Sequence, residues 1–357
     1  MSNKNTGAST GKRVALTILC VVLAVVLVAM LGATIYVERL LGKMNYVDTS
    51  ESQATLSAEE IEQIDQEMLE EEYEEGDFTG PVLTDEDIDL GPGATVQIGG
   101  GDNIVNILLI GQDTRTGVRS RSDSMILVTF NKDKDTITLT SFMRDLYVSI
   151  PGYKNNRINA AYPYGGMQLL DATLEKNFGI HVDGNVEVDF TQFADIIDLL
   201  GGVEMELTSK EASYINSWVP SGYVKKGVNV LNGAQALMHA RNRKDVDGDF
   251  SRTNRQRALL SALMEKYKNS DIATMLNLLE EVMPMVTTDM TSSQMIGYAK
   301  DLFPMLMTAE LVTQHIPVDG GYTNANIGGA LVLVPNMDMN IQALMDSLMS
   351  TEEEGVG

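Results

Sequence analysis

The sequence predicts an α/β protein, a three-layer α-β-α sandwich around a central mixed sheet, preceded by a transmembrane helix. Three observations lead there. Apolar runs of strand length alternate with amphipathic runs of helix length from residue 103 onward; a stretch of 24 uncharged residues, Val14 to Val37, precedes them; and charge is segregated along the chain. Residues 1–47 carry five basic and one acidic side chain, residues 48–90 carry seventeen acidic and no basic, and the remainder carries 21 basic and 32 acidic. A formal charge of -24 over 357 residues excludes a nucleic-acid partner, because phosphate backbones are gripped by clustered Lys and Arg. A single cysteine, Cys20, excludes an internal disulfide, a Cys-rich zinc site and a dithiol redox pair.

Val14 to Val37 lies between Lys12-Arg13 and Glu38-Arg39 and is long enough to cross a hydrocarbon core of about 30 Å as a helix. It exceeds the apolar core of a cleaved signal peptide, about 7 to 15 residues. The expected order is a cytoplasmic tail over 1–13, the span over 14–37, and everything after it outside, with Lys4, Lys12 and Arg13 setting the orientation. Residues 38–101 read as an acidic, solvated and self-repelling linker. Within it Ser57, followed three residues later by Glu60, is a helix start signal for the stretch Ser57 to Glu75. The body occupies 102–350, and 351–357 is a frayed acidic tail.

In the body, Asn103 to Ile110 and Met125 to Phe130 read as buried strands, and Thr136 to Thr140 returns after the turn Asn131-Lys132-Asp133-Lys134. Met167 to Asn177 is a helix stopped by Gly179. Val186, Val188 and Phe190 alternate as a strand, Thr191 to Leu200 is a helix ending at Gly201-Gly202, and Val203, Met205 and Leu207 alternate again. Helices follow at Asn232 to Met238, Thr253 to Lys268, Asp271 to Met283 and Thr291 to Leu306. Strands near Leu311 to Ile316 and Leu331 to Val334 and a helix after Pro335 complete the body.

Asp113 follows the first strand and Asp123 precedes the second. If these strands pair, two carboxylates share one sheet edge, where Mg²⁺ is held by one or two carboxylates together with substrate phosphate oxygens. Ordinary turn and cap roles are the other reading of the two aspartates. Arg144 stands at the end of the third strand. In Met238 to Arg243, a helix that ends before His239 makes Arg241 and Arg243 point together, and guanidinium forks suit phosphate oxygens; two solvated arginines are the alternative. Asp247 to Arg252 leads into a helix where Arg252, Arg255 and Gln256 share a face, while Arg257 falls outside it and is expected in solvent. Clustered Arg in an acidic chain points to an anionic ligand.

From Asn106 to about Leu263 the chain resembles the LytR-CpsA-Psr family of cell-envelope phosphotransferases. The resemblance is carried by Asn106 to Asp113 (NILLIGQD), Arg121-Ser122-Asp123-Ser124, Arg144-Asp145, Arg157 to Tyr162 (RINAAY) with Gly165-Gly166, Leu200 to Val203 (LGGV), Leu231 to Leu237 (LNGAQAL), and Gly248 to Arg252 followed by Arg255-Gln256. Met143 stands where Pro is usual, His239 where Tyr is usual, and Ser251 where Gly is usual. The resemblance implies transfer of a glycopolymer, of teichoic-acid or capsular-polysaccharide type, from undecaprenyl diphosphate to a muramic acid hydroxyl of peptidoglycan in a Gram-positive type envelope. It implies Mg²⁺ on Asp113 and Asp123; Arg144, Arg241, Arg243 and Arg252 on the diphosphate oxygens; and Arg121 and Gln256 as supporting contacts. One of the aspartates, or less readily His239, takes the hydroxyl proton. The isoprenoid carrier calls for a dry cavity between sheet and helices; the stripes Phe193, Ile196, Ile197, Leu200 and Leu259, Leu260, Leu263 read by themselves as ordinary core, and the resemblance implies that they line that cavity. A lipid-diphosphate pyrophosphatase and a non-enzymatic polyprenyl-phosphate-binding regulator are the competing readings.

Overall fold

The structure is a computed structural model that describes residues 38–48, 56–70, 80–112, 122–220, 222–242, 248–268 and 272–349. The expected span over 14–37 lies outside them; among the described residues no helix is long and apolar enough to cross a membrane.

The acidic region contributes β1 (Asn45–Tyr46), α1 (Ala58–Glu70) and β2 (Val82–Leu83). Ser57 caps α1: its backbone N–H and its hydroxyl donate to Glu60 at 2.7 and 2.8 Å, and the Glu60 N–H donates back to Ser57 Oγ at 3.3 Å. Ile61 and Ile64 pack α1 against the body, and Tyr164 donates to Asp65. This part of the acidic region is therefore docked, because two isoleucines one turn apart are enough of a stripe to be buried.

The body opens with an antiparallel meander, β3 (Ile104–Gln112), β4 (Ser122–Asn131) and β5 (Thr136–Phe142). After β6 (Tyr147–Val148) and β7 (Asn156–Arg157), α2 (Ala161–Phe178) is closed by Gly179 at φ +70°, where an added Cβ would lie 1.9 Å from the Val96 carbonyl oxygen. There follow β8 (Gly184–Asp189), α3 (Phe190–Leu199), β9 (Val203–Leu207), α4 (Ser209–Trp218), β10 (Gly227–Leu231), α5 (Gly233–Arg241), α6 (Gly248–Tyr267) and α7 (Ile272–Val282). The chain ends through β11 (Thr287–Thr288), α8 (Ser292–Thr308), β12 (Glu310–Ile316), β13 (Tyr322–Ile327), β14 (Ala330–Pro335) and α9 (Met337–Leu348).

The central sheet has the order β1-β11-β8-β3-β4-β5-β12. It is mixed, as the sequence predicts: β3 pairs with β8 and β5 with β12 in parallel, while β3-β4, β4-β5 and β8-β11 are antiparallel. Alternation along the strands gives each face its own core. On one face Leu108, Ile110, Met125 and Leu127, none more than 2% exposed, pack on α2 and α9. On the other, Val105, Ile126, Val128 and Leu139 meet α6 and α8 through Leu260, Met264, Leu302 and Met305. A third cluster joins α3, α5 and α6 to the β9-β10 ribbon through Ile197, Val203, Leu231, Ala236 and Leu259.

Candidate functional site

The site is assembled where β3, β8, β5 and β12 all finish. Gln112, the last residue of β3, lies in register with Ser122 of β4 and Asp189 of β8, and Phe142 of β5 with Ile316 of β12. Chain positions 113 and 123 each adjoin the Gln112-Ser122 pair, so the strand pairing required for two aspartates at one edge is present. Asp113, Arg121 and Arg243 lie outside the described residues, as does the side chain of Asp123. Among the described residues no group of three or more His, Cys, Asp or Glu is arranged to hold a metal.

Arg144 sits just past β5, 7% exposed, its Nε 3.4 Å from Asp145 Oδ2. Its carbonyl accepts from the Asn159 N–H at 3.3 Å, and the Met143 N–H donates to the Ile316 carbonyl at 2.8 Å, so both neighbouring elements hold its backbone. Arg157, 3% exposed, faces the other oxygen of the same carboxylate at 3.6 Å. Two guanidiniums thus flank Asp145, an arrangement that fixes the forks at low conformational cost.

Arg252 is 2% exposed on the first turns of α6. The next residue, Thr253, lies 3.5 Å from Met143 Sδ, and Gln256 accepts from Ser124 Oγ at 3.1 Å. These two contacts bring the face of Arg252 and Gln256 onto the strand ends that carry Arg144 and Asp123. Arg241 ends α5 with its guanidinium carbon 4.9 Å from the centre of the Phe190 ring, and Phe190 is the first residue after β8. The helix runs through His239 to Arg241 rather than stopping before it, so Arg241 is helical and the condition set for a shared direction with Arg243, a helix ending before His239, is not met. The Asn232-Gln235 capping box and an interior run of helix formers carry α5 that far.

Arg255 does something else: its Nε donates to Glu211 at 2.8 Å and its Nη1 to the Asn242 carbonyl at 2.7 Å. It ties α6 to α4 and to the end of α5. Burial raises the Glu211 carboxyl, but hydrogen bonds from Arg255 and Thr208 outweigh that and hold it at about 2. His239 beside this clamp is 3% exposed and pushed down to about 4, chiefly by burial. Burial thus favours its neutral form, and it sits in the interior beside Glu211 and Arg255. Arg257, expected in solvent, is buried at 5% exposed, donates to Asn254, and is lowered to about 10 by desolvation. Arg257 falls three and seven residues before Leu260 and Met264, on the helix face that packs toward the sheet.

The sequence reading missed Arg157 as a site residue, and also a hydrogen-bonded chain on the α2 face. Gln112 Nε2 donates to Tyr162 Oη at 2.6 Å, and Tyr162 donates to Glu187, whose carboxyl is raised by burial. This chain pins the end of β3, directly before Asp113, to β8 and α2. The RINAAY stretch contained the signal, since a buried Tyr needs a partner for its hydroxyl.

Beyond the edge, the layer between the sheet and the α3-α6-α8 face is not sealed. Ile107 and Leu109 of β3, and Val186 and Val188 in register with Leu109 and Gly111, stay partly exposed although β3 and β8 are interior strands. Of the two predicted stripes, Ile197 and Leu259 are core, 0% and 1% exposed, while Phe193, Leu260 and Leu263 are only half-buried. An open apolar layer thus begins at an edge lined with guanidiniums.

Fold and site together define an α/β protein that presents arginines at one sheet edge, above an apolar layer, in a manner suited to an amphiphile with an anionic head. The chain belongs to the LytR_cpsA_psr family, whose match covers residues 59–343. It is 32% identical over 250 residues to regulatory protein MsrR of Staphylococcus aureus, covering 69% of this chain and 75% of that protein. It is 34% identical over 221 residues to the polyisoprenyl-teichoic acid–peptidoglycan teichoic acid transferase TagU of Bacillus cereus, covering 60% of this chain and 69% of that protein. Solved structures of the same fold include TagT bound to LI-WTA, 28% identical with a TM-score of 0.58, covering 74% of this chain and 99% of that one. Another is YwtF (TagT) with bound octaprenyl pyrophosphate lipid, 26% identical with a TM-score of 0.55 over 74% of this chain and 99% of that one.

Proposed function

We propose that this chain is a membrane-anchored, Mg²⁺-dependent phosphotransferase. It moves a glycopolymer of teichoic-acid or capsular-polysaccharide type from undecaprenyl diphosphate to a muramic acid hydroxyl of peptidoglycan, outside the cell. The observation that carries this reading is the convergence of Arg144, Arg241, Arg252 and Gln256 at the strand ends, where the half-open apolar layer begins. The name of TagU and the lipid held by TagT support the same class of donor.

The chemistry follows from what these side chains can do. Guanidinium forks take diphosphate oxygens bidentately and spread the charge that builds as the acceptor oxygen attacks the glycan-side phosphorus. The bridging P–O bond breaks, polyprenyl phosphate leaves with the electron pair, and the hydroxyl proton passes to an aspartate at the edge. Asp145 and the Asn159 N–H hold Arg144 in place, and the half-buried Ile107, Leu109 and Leu260 receive the isoprenoid. Two aspartates adjoin the Gln112-Ser122 pair in the chain, and carboxylates are the hard oxygen donors that Mg²⁺ takes. Asp113 and Asp123 would hold it, and it would neutralise charge on the diphosphate; Arg121 and Arg243 add to the cationic lining.

Purified chain supplied with lipid-linked polymer, Mg²⁺ and peptidoglycan fragments tests the reading. Product in which the polymer is joined to muramic acid is expected. Release of free polymer phosphate without an acceptor would identify a pyrophosphatase, and tight lipid binding with no turnover would identify a regulator, the role that the name of MsrR gives to that protein.

A further inference from the structure

The end of the molecule that carries the arginine edge has a second feature. β1 runs parallel to β11 and opposite to β8, with Asn45 level with Glu187 near the end of β8 and Tyr46 deeper. The chain before Asn45 therefore enters the sheet from the site edge, and in sequence it is preceded by the uncharged stretch Val14 to Val37. The β9-β10 ribbon is oriented the same way. Its Val203-Leu231 end lies near Lys266 late in α6, which donates to the Gly202 carbonyl at 2.6 Å, while α4, which follows the Leu207-Gly227 end, is tied through Glu211 to Arg255, one turn from Arg252.

That forward end projects an aromatic and basic loop. Trp218 is 59% and Tyr223 85% exposed, and Lys225 and Lys226 are both exposed. The loop is built rather than slack: Asn216 donates to the Val224 carbonyl at 2.7 Å and accepts from its N–H at 3.0 Å, and Val219 and Val224 are buried beneath it. From Thr208 to Val230 the segment carries Lys210, Lys225 and Lys226 against one acid, Glu211, which is paired with Arg255. The exposed acids Glu206 and Glu204 lie behind the loop, opposite Val228 and Val230. In a chain of charge -24 this is a local inversion.

We propose that Trp218, Tyr223, Lys225 and Lys226 form a docking surface for the headgroup region of the anionic bilayer in which the chain is anchored. Trp and Tyr partition to the membrane interface because each joins an apolar ring to a polar tip, and lysine stems lie along apolar surface while their ammonium groups reach phosphate. The anchor fixes one point; this loop is a second, and together they hold the arginine edge against the leaflet from which the lipid donor must rise. The inference rests on the anchored reading of Val14 to Val37.

Trp218 is the one tryptophan of the chain, so its fluorescence reports this contact alone. Full-length chain is reconstituted in vesicles of phosphatidylcholine and phosphatidylglycerol whose acyl chains carry bromine near the headgroup. Trp218 emission is expected to fall roughly twofold relative to unbrominated vesicles, with weak quenching by aqueous iodide. The triple variant Tyr223→Ser, Lys225→Glu, Lys226→Glu is expected to restore emission and iodide access. Emission that ignores the bromines and is open to iodide overturns the proposal. Emission shielded from iodide yet blind to the bromines also overturns it, in favour of a second copy of the chain on this loop. Failure of the chain to float with vesicles would instead refute the anchor.

Discussion

β3 serves two faces with two different surroundings. Leu108 and Ile110 are sealed beneath α2 and α9 at 0% and 2% exposure, whereas Ile107 and Leu109, their immediate neighbours, remain half-open under α6 and α8. The same apolar chemistry on one strand thus supplies core on one side and a receiving surface on the other. Burial that is complete stabilises the fold; burial left incomplete on an interior strand leaves apolar area for a ligand to cover. The arginines lie at the mouth of the incomplete side, which is where an amphiphilic substrate needs them.

The largest effect expected from breaking this arrangement is chemical. Arg144→Ala, or Asp123→Ala, should lower transfer from a lipid-linked donor by about 10²-fold or more, as loss of a charge-stabilising group does, while circular dichroism shows the fold retained. Transfer at the native rate by both variants would remove the edge from the mechanism. A pair of substitutions on β3 sharpens the contrast between faces. Leu108→Ala should cost about 3 kcal/mol in denaturant unfolding, the usual penalty for a cavity in a sealed core. Leu109→Ala should cost about 1 kcal/mol and instead weaken polyprenyl-phosphate binding, measured by calorimetry. Equal stability losses would mean that the two faces are packed alike.

Smaller effects come from titration on either side. On the closed face, Asp171 of α2 is raised by burial to about 8 while accepting from Asn185 at 2.8 Å. Between its ordinary 3.8 and that value the folded chain binds more protons than the unfolded one, so stability falls as pH rises through this window. Asp171→Asn should therefore raise the melting temperature at pH 8, by the equivalent of about 1–2 kcal/mol, and change little at pH 4. On the open side the sign reverses. His239 is lowered from 6.5 to about 4, so the unfolded chain binds more protons there, and stability falls as pH drops from 6.5 toward 4. Glu211, lowered from 4.5 to about 2, adds a further loss as pH drops through that lower window. A His239→Gln variant that loses as much stability as the wild-type chain between pH 6.5 and 4 would contradict the buried neutral His239.

Much of this molecule is readable from local signals. The meander of β3, β4 and β5 follows from uninterrupted apolar runs and an Asn-Lys-Asp-Lys turn, and α2, α3 and α8 stop or start at residues with the capping chemistry their ends require. β10 was not legible, because Val228 and Val230 face solvent at 62% exposure and Asn229 faces inward, inverting the usual alternation. α4 was missed despite its Thr208-Glu211 capping box, since only two of its residues, Ala212 and Ile215, are buried. At the edge, the position of Arg144 at a strand end and the shared helix face of Arg252 and Gln256 were legible in the sequence. Arg157 and Arg255 were not assigned, because the burial of a guanidinium is set by partners distant in sequence or on another element, Asp145 and Glu211; Arg257 was misplaced because its burial does not follow from its charge.

The most direct test is mass spectrometry of lipid extracted from full-length chain purified out of its membrane. A polyprenyl phosphate or diphosphate should accompany the wild-type chain and be lost when Leu109 is changed to Arg. Wild-type chain that carries no polyprenyl lipid, and takes none up when octaprenyl diphosphate is supplied, would contradict an apolar layer built to receive one.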